Sequence, residues 1–252
     1  MKERFYTVKN KKIPESFVGF KILHISDLHS DMPNEIFDFL EREKPDIIAV
    51  TGDLIDNDKS PVDEMFEFVK SLSENTPLYF VSGNHDKNSE RFMRFFEGDN
   101  KNIRFIDGKK VEIFKGEDKI EIFGIADPYS KRSDRARERL IRDLKKVALG
   151  ESFSVLLYHR ASHFDFIKDK GFDLVLSGHM HGGQVVFPRL GGLLPPKSSL
   201  FDTKRVFFPK YTGGEYEGNG TTMIVSRGTG GKNKLPRINN PTEIGVIELR
   251  ND

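Results

Sequence analysis

Four short stretches of this sequence gather side chains that ligate metal ions. They are Asp27-Leu-His29, Gly52-Asp53-Leu-Ile-Asp56, Gly83-Asn84-His85-Asp86 and Gly178-His179-Met-His181; His159 stands as a fifth, single position. Taken singly, each is ambiguous. Asp-x-His after a strand is a common turn pair, Gly-Asp and Gly-Asn close strands where a positive φ is needed, and an isolated His-x-His binds metal only in a minority of cases. As a set they have one chemical reading. Ordinary surface turns have no reason to collect Asp, Asn and His at five successive strand ends, so the set reads as a metal site. Of the 7 His residues, six lie at or beside these ends (24, 29, 85, 159, 179, 181) and His163 stands apart. Carboxylate, amide oxygen and imidazole suit Mn²⁺, iron or Zn²⁺ rather than copper or iron–sulfur chemistry. There are more ligands than one ion takes. Two ions about 3.5–4 Å apart need one bridging carboxylate and separate ligands on each side.

The elements that must position these groups follow from periodicity. Residues 20–26, 46–51 and 78–82 read as buried strands, and residues 33–44, 61–73 and 89–97 as helices. Ile36, Phe37, Phe39 and Leu40 form the first apolar stripe; Val62, Met65, Phe66 and Val69 form the second. This βαβαβ rhythm implies parallel strands with right-handed crossovers. Residues 109–114 and 119–124 alternate and read as a hairpin. A charged helix over 131–149 reads as a solvated face, followed by strands at 153–158 and 173–177 around a short helix near 162–168. Short strands are expected near 184–187, 221–226 and 243–249. In open α/β sheets ligands sit beyond the carboxyl ends of strands, where the five blocks fall.

Composition narrows the class. A chain of 252 residues suits one α/β domain, residues 1–252, with no linker or repeat. Lys+Arg 40 against Asp+Glu 39 leaves a formal +1, which speaks against a dedicated nucleic-acid binder. Cys is 0, which removes disulfides, thiolate zinc sites and cysteine nucleophiles and points to a reducing compartment. No apolar run approaches the ~18–20 residues of a membrane span, and residues 1–10 lack the apolar core of a secretory signal. The expected location is the cytoplasm, with peripheral membrane contact as an option.

In this order the five blocks resemble the calcineurin-like metallophosphoesterase superfamily: D-x-H, G-D-x-x-D, G-N-H-D, a strand-end H, then G-H-x-H, all intact from Asp27 to His181. The resemblance implies an α/β fold, a four-layer α-β-β-α sandwich. It implies that Asp27, His29 and His181 hold one cation, that Asn84, His159 and His179 hold a second, and that Asp53 bridges them. His85 would face the scissile phosphate, Asp86 would orient it and Asp56 would support the loop. The implied cofactors are two divalent metal ions, Mn²⁺ first, with iron, Zn²⁺ or Co²⁺ as alternatives. The implied reaction is in-line hydrolysis at phosphorus by a hydroxide shared between the cations, with His85 protonating the leaving oxygen or hydrogen-bonding the phosphoryl group.

Departures narrow the branch. Phosphoprotein phosphatases carry Arg after the second block and Glu after the Asn-His pair; here those positions are Asn57 and Asp86. The extended ending, Gly178 to Gln184 with Gly191-Gly-Leu-Leu-Pro195 and Ser226-Arg-Gly228, is similar to the bacterial YkuE-like branch. That branch includes phosphodiesterases and UDP-diacylglucosamine pyrophosphatases of lipid A synthesis. The expected substrate is a small phosphodiester, nucleotide or nucleotide sugar. Two alternatives stand beside it: an anchored or peripheral lipid-precursor pyrophosphatase, and a catalytically silent binding scaffold, which should have lost ligands where this chain has kept all of them. Two further stretches stay open. Residues 227–233 look like a phosphate loop but lack its first Gly and its final Ser or Thr, so they read as a turn near the site, with Arg227 either structural or substrate-binding. Phe187, Arg189, Phe201, Phe207, Phe208, Tyr211 and Tyr216 either pack a loop or form a substrate lip.

Overall fold

Alternating side chains decide the layering of the chain. The computed structural model describes residues 1–57, 59–96, 98, 100–128, 133–196, 207–231 and 236–251. Among these run β1 (Lys2–Lys9), β2 (Lys21–Ile25), α1 (Glu35–Glu43), β3 (Ile47–Val50), α2 (Val62–Leu72), β4 (Leu78–Phe80), α3 (Glu90–Arg94), β5 (Ile103–Phe105), β6 (Lys110–Lys115) and β7 (Asp118–Ile125). There follow α4 (Ser133–Lys146), β8 (Ser154–Arg160), α5 (Phe164–Ile167), β9 (Leu174–Gly178), β10 (Val186–Phe187), β11 (Gly191–Gly192), β12 (Gly214–Gly218), β13 (Thr221–Val225) and β14 (Glu243–Arg250). Strands β1-β14-β2-β3-β4-β5 form one sheet and β12-β13-β9-β8-β7-β6 a second, with β10-β11 as a separate ribbon. As the rhythm predicts, β2 to β5 are parallel, as are β7, β8, β9 and β13.

The inner strands β2, β3, β4, β8, β9 and β13 are buried on both faces, so they read as nearly continuous apolar runs. In β2, Leu23 and Ile25 point toward Ile36 and Phe39 of α1 and Met65 and Val69 of α2. The alternate residue Ile22 joins Ile47 and Ala49 of β3 in meeting Val155, Leu157, Leu174 and Leu176 of the second sheet. On that sheet's far face, Leu156, Tyr158 and Val175 pack on Leu140 and Leu144 of α4 and Phe164 and Ile167 of α5. Three apolar layers therefore separate helix, sheet, sheet and helix, the α-β-β-α sandwich. Phe66, placed on the α2 stripe, is only half-buried and stacks on Phe95 at 4.4 Å; Phe68 takes the buried position instead.

At each end the helices stop one to three residues short of what periodicity suggests. Asn34 and Pro61 precede α1 and α2, and Lys44 at φ 47° ends α1. The expected ends at Glu97 and Lys131 lie outside the described residues. Strands β1, β5 and β12 carry no apolar alternation strong enough to betray them. The whole of β1 pairs in parallel with β14, from Lys2 opposite Glu243 to Lys9 opposite Arg250, through backbone bonds that its charged sequence does not advertise. β14 in turn lies antiparallel to β2. The last strand of the chain thus stands beside the strand that ends in Asp27.

Candidate metal centre

Five strand ends meet at one place. β2, β3 and β4 of the first sheet run into Asp27, Asp53 and Asn84; β8 and β9 of the second carry His159 and His179 at their ends. Five of the seven expected ligands hold left-handed backbone: Asp27 (φ 54°), His29 (48°), Asp53 (55°), His179 (71°) and His181 (47°). Such conformations cost on the order of 1–3 kcal/mol each and persist where surrounding structure enforces them, commonly at functional sites. The glycines of the motifs have a separate cause. At Gly52 a Cβ would lie 2.5 Å from Gly83 N and 2.8 Å from His159 Nδ1. At Gly83 it would overlap Asp53 Oδ1, and at Gly178 it would overlap Ser26 Oγ and Asp27 Oδ2. The backbones approach so closely that no side chain fits.

The side chains fall into overlapping groups. Asp27, His29 and His181 converge, as do Asp53, His159 and His179, and His29, Asp53 and His85. Asp27 Oδ1 lies 3.8 Å from His29 Nε2 and 3.6 Å from His181 Nε2. Asp53 Oδ2 lies 3.2 Å from His159 Nε2 and 3.9 Å from His29 Nε2, so one carboxylate borders both groups. His179 Nδ1 is 3.0 Å from His159 Nε2. Outer partners aim the rings: His159 Nδ1 donates to the Thr51 carbonyl at 2.6 Å and His29 pairs through Nδ1 with Asp56 Oδ1 at 2.8 Å. Each contact leaves Nε2 as the ligating atom. Asp27 Oδ2 accepts from Ser26 Oγ and from the His179 backbone N–H. Asp27 Oδ1 and Asn84 Oδ1 are buried without a hydrogen-bond partner. Unpaired buried oxygens are costly, and divalent cations would satisfy them; the donor set fits such ions.

The charges divide in an orderly way. Burial opposes ionisation of Asp27 and Asp53, but His181 and His29 hold Asp27, and His159 holds Asp53, well below the usual carboxylate range. Burial alone would neutralise His29; the adjacent Asp27 carboxylate and the hydrogen bond to Asp56 outweigh it and raise the ring to about 10. His159 rises against burial to about 9 through Asp53. Burial lowers His181 to about 4, and burial with the Arg160 charge lowers His179 well below its usual value. Without cations, two protons on His29 and His159 balance the carboxylates.

A calcineurin-like phosphoesterase family pattern matches residues 20–183, about two-thirds of the chain and all five blocks. The chain belongs to the calcineurin-like phosphoesterase family. Across 97% of its length it is 29% identical to the metallophosphoesterase YkuE of Bacillus subtilis, covering 84% of that protein. A metallophosphoesterase of Aquifex aeolicus is 26% identical over 97% of this chain and 90% of its own. Among solved structures, a phosphopantetheinyl hydrolase from Mycobacterium tuberculosis superposes with TM-score 0.50 at 12% identity, over 83% of this chain and 89% of its own, a likeness of fold alone. This calcineurin-like phosphoesterase is a metal-dependent phosphoric ester hydrolase that uses divalent ions. No helix among the described residues is long and apolar enough to cross a membrane.

The remaining site positions of the phosphoesterase take distinct places. His85 is half-buried; its backbone N–H donates to Asp53 Oδ1 at 2.8 Å, and its Nδ1 pairs with the Asp56 carbonyl at 2.8 Å. Asp86, expected to orient His85, spends its carboxylate on the backbone N–H groups of Gly83, Asp53, Leu54 and Ile55 at 2.7–3.2 Å. It ties the Asp53 loop to the end of β4, and the Asp56 carbonyl is what holds the His85 ring. His24 stays inside β2, bonded to Thr51 Oγ1 at 2.8 Å and lowered by burial to about 4; it joins no ligand group. His163 pairs with the Tyr158 hydroxyl. Arg227 meets Glu243, and residues 229–230 bond to the Ser26 and Asp27 carbonyls, so this turn lies on the back of Asp27; Lys232 and Asn233 lie outside the described residues. Sequence reasoning missed the buried ion pair Arg160–Asp127 (2.7 Å) beside His159. The one available signal was an Arg closing the apolar run of β8 and an Asp two residues past the end of β7.

Proposed function

We propose that this phosphoesterase hydrolyses a phosphodiester or pyrophosphate bond in a small substrate such as a nucleotide or nucleotide sugar, as a single domain of residues 1–252 in the cytoplasm. Asp27, His29 and His181 hold one divalent ion; Asn84, His159 and His179 hold another; Asp53 serves both. The observation that carries this reading is the Asp53 carboxylate bordering both groups, with Asp27 Oδ1 and Asn84 Oδ1 buried and unpaired on either side. Mn²⁺ is the first choice of ion, from the oxygen-and-imidazole donor set. When bound, such a pair supplies Lewis-acid polarisation of the phosphoryl oxygens and an acidified water. The zero cysteine count supports the reducing compartment.

The chain's own groups supply the rest. Nδ1–H of His85 is committed to the Asp56 carbonyl, so Nε2 is the atom that trades a proton with the leaving oxygen. The preference for a diester rests on charge. Sites for dianionic monoesters add cations at the phosphate. Here Asn57 follows Asp56, Arg227 pairs with Glu243, and Arg237 bonds to the carbonyls of Arg227 and Gly230. The deciding experiment compares bis-p-nitrophenyl phosphate, p-nitrophenyl phosphate, a nucleotide-sugar pyrophosphate and a phosphoserine peptide on Mn²⁺-loaded and chelated protein. The expected result is faster cleavage of the diester or pyrophosphate, abolished by chelation. Full activity after chelation, or a clear preference for the phosphopeptide, overturns the proposal.

A further inference from the structure

We propose that the β10–β11 hairpin and the segments packed against it form a docking surface for an anionic lipid bilayer. Seven large apolar side chains are exposed among the described residues, and four belong to this one region: Phe187 (43% exposed), Leu190 (66%), Phe207 (59%) and Ile238 (50%). Backbone contacts hold them together. Val186 N–H donates to the Ile238 carbonyl at 2.9 Å, Phe208 N–H to Leu193 at 2.9 Å, and Leu190 N–H to Phe187 at 3.2 Å. The Phe187 and Phe208 rings lie 6.3 Å apart. Scattered apolar residues need no explanation, but a cluster on a turn does.

Charge selects the occupant. Arg189 stands exposed at the hairpin tip between Pro188 and Leu190, at φ 69°, and makes no ion pair among the described residues. The described residues of 178–196, which carry the tip, contain Arg189 and no Asp or Glu, whereas the neighbouring Lys210 and Arg227 are compensated by Asp165 and Glu243. A tip carrying Phe and Leu with an exposed Arg that makes no ion pair among the described residues suits the headgroup boundary, where rings and aliphatic chains enter the acyl edge and cations meet lipid phosphates. The surface also adjoins the metal centre. β10 begins five residues after His181, and Leu194 N–H donates to the Gly183 carbonyl at 3.0 Å. Docking there would hold the phosphoesterase centre near lipid headgroups. The surface itself does not depend on which ester is cleaved.

The test is co-sedimentation of the full chain with vesicles of phosphatidylcholine alone and of phosphatidylcholine with phosphatidylglycerol. Binding is expected to the anionic vesicles only and to weaken with salt. Arg189→Ala should weaken it about fivefold, the effect of one cation near an anionic surface. Leu190→Glu should weaken it by about tenfold or more. Both positions are exposed, so circular dichroism and hydrolysis of bis-p-nitrophenyl phosphate should match the unaltered protein. The proposal is overturned if the unaltered protein ignores anionic vesicles at low salt, or if Leu190→Glu binds them equally well. It is also overturned if soluble polyphosphate is bound as tightly as the vesicles, or if Leu190→Glu converts a dimer into a monomer.

Discussion

Loading the centre with cations should expel two protons at pH 7.5. In the cation-free protein the carboxylates of Asp27 and Asp53 are ionised, His179 and His181 are neutral, and His29 and His159, raised to about 10 and about 9, each carry an extra proton. A ligating imidazole must present a lone pair, so each cation displaces one histidine proton. Release should therefore be about two protons per chain from pH 6.5 to 8, about one and a half at pH 9, and close to zero above pH 11. Below pH 8 the apparent affinity of each position should rise about tenfold per pH unit. The assay is Mn²⁺ titration of chelator-stripped protein by calorimetry in two buffers of different ionisation enthalpy, which counts the protons released. Protons given up by solvent add a background, so His29→Asn is the control. It removes one histidine proton, and the count should fall by about one. A count unchanged in His29→Asn, or near zero in the unaltered protein at pH 7.5, refutes the assignment of charge.

Other outcomes follow from the same contacts. His85→Asn on metal-replete protein should lose about 10²–10⁴-fold on alkyl or nucleoside diesters and far less on p-nitrophenyl esters, whose leaving group needs no proton; equal losses would make His85 a positioning group only. Gly83→Ala places a methyl against Asp53 Oδ1 and should cost about 100-fold in turnover together with cation occupancy, read by metal analysis. Full occupancy with normal turnover would contradict it. Asp86→Ala leaves the N–H groups of Gly83, Asp53, Leu54 and Ile55 unpaired and should lower stability by about 3 kcal/mol or more, visible as a drop in urea midpoint. In chelator, the raised His29 and His159 make the fold most secure below about pH 6.5, and that contribution should drain away as pH rises through about 9 to 10. Thermal melts that are flat from pH 7 to 10 in chelator would rule this out.

Sequence by itself determined the chemistry and the local frame. Metal-ligand residue types recur directly after apolar runs, and a run buried on both faces has one direction and one carboxyl end, so Asp27, Asp53, Asn84, His159 and His179 could be assigned to strand ends before any fold was known. The glycines ahead of Asp53 and Asn84 were legible as turn residues. That they are required because neighbouring backbones touch, as Gly52 does with Gly83, was not, since that contact joins strand ends 31 residues apart. Tertiary structure decided what depends on long-range pairing. β1 is a strand because β14 offers it a full backbone ladder, a fact invisible in Lys2–Lys9, whose side chains are mostly exposed or half-buried. Asp86 faces four N–H groups rather than the His85 ring because the Asp53 loop folds over the end of β4, and the Asp56 carbonyl is thereby left to hold His85. The division of protons among four similar histidines was likewise set in three dimensions. Each ring's charge follows from how deeply it is buried and which carboxylate it meets, and residue type carries neither.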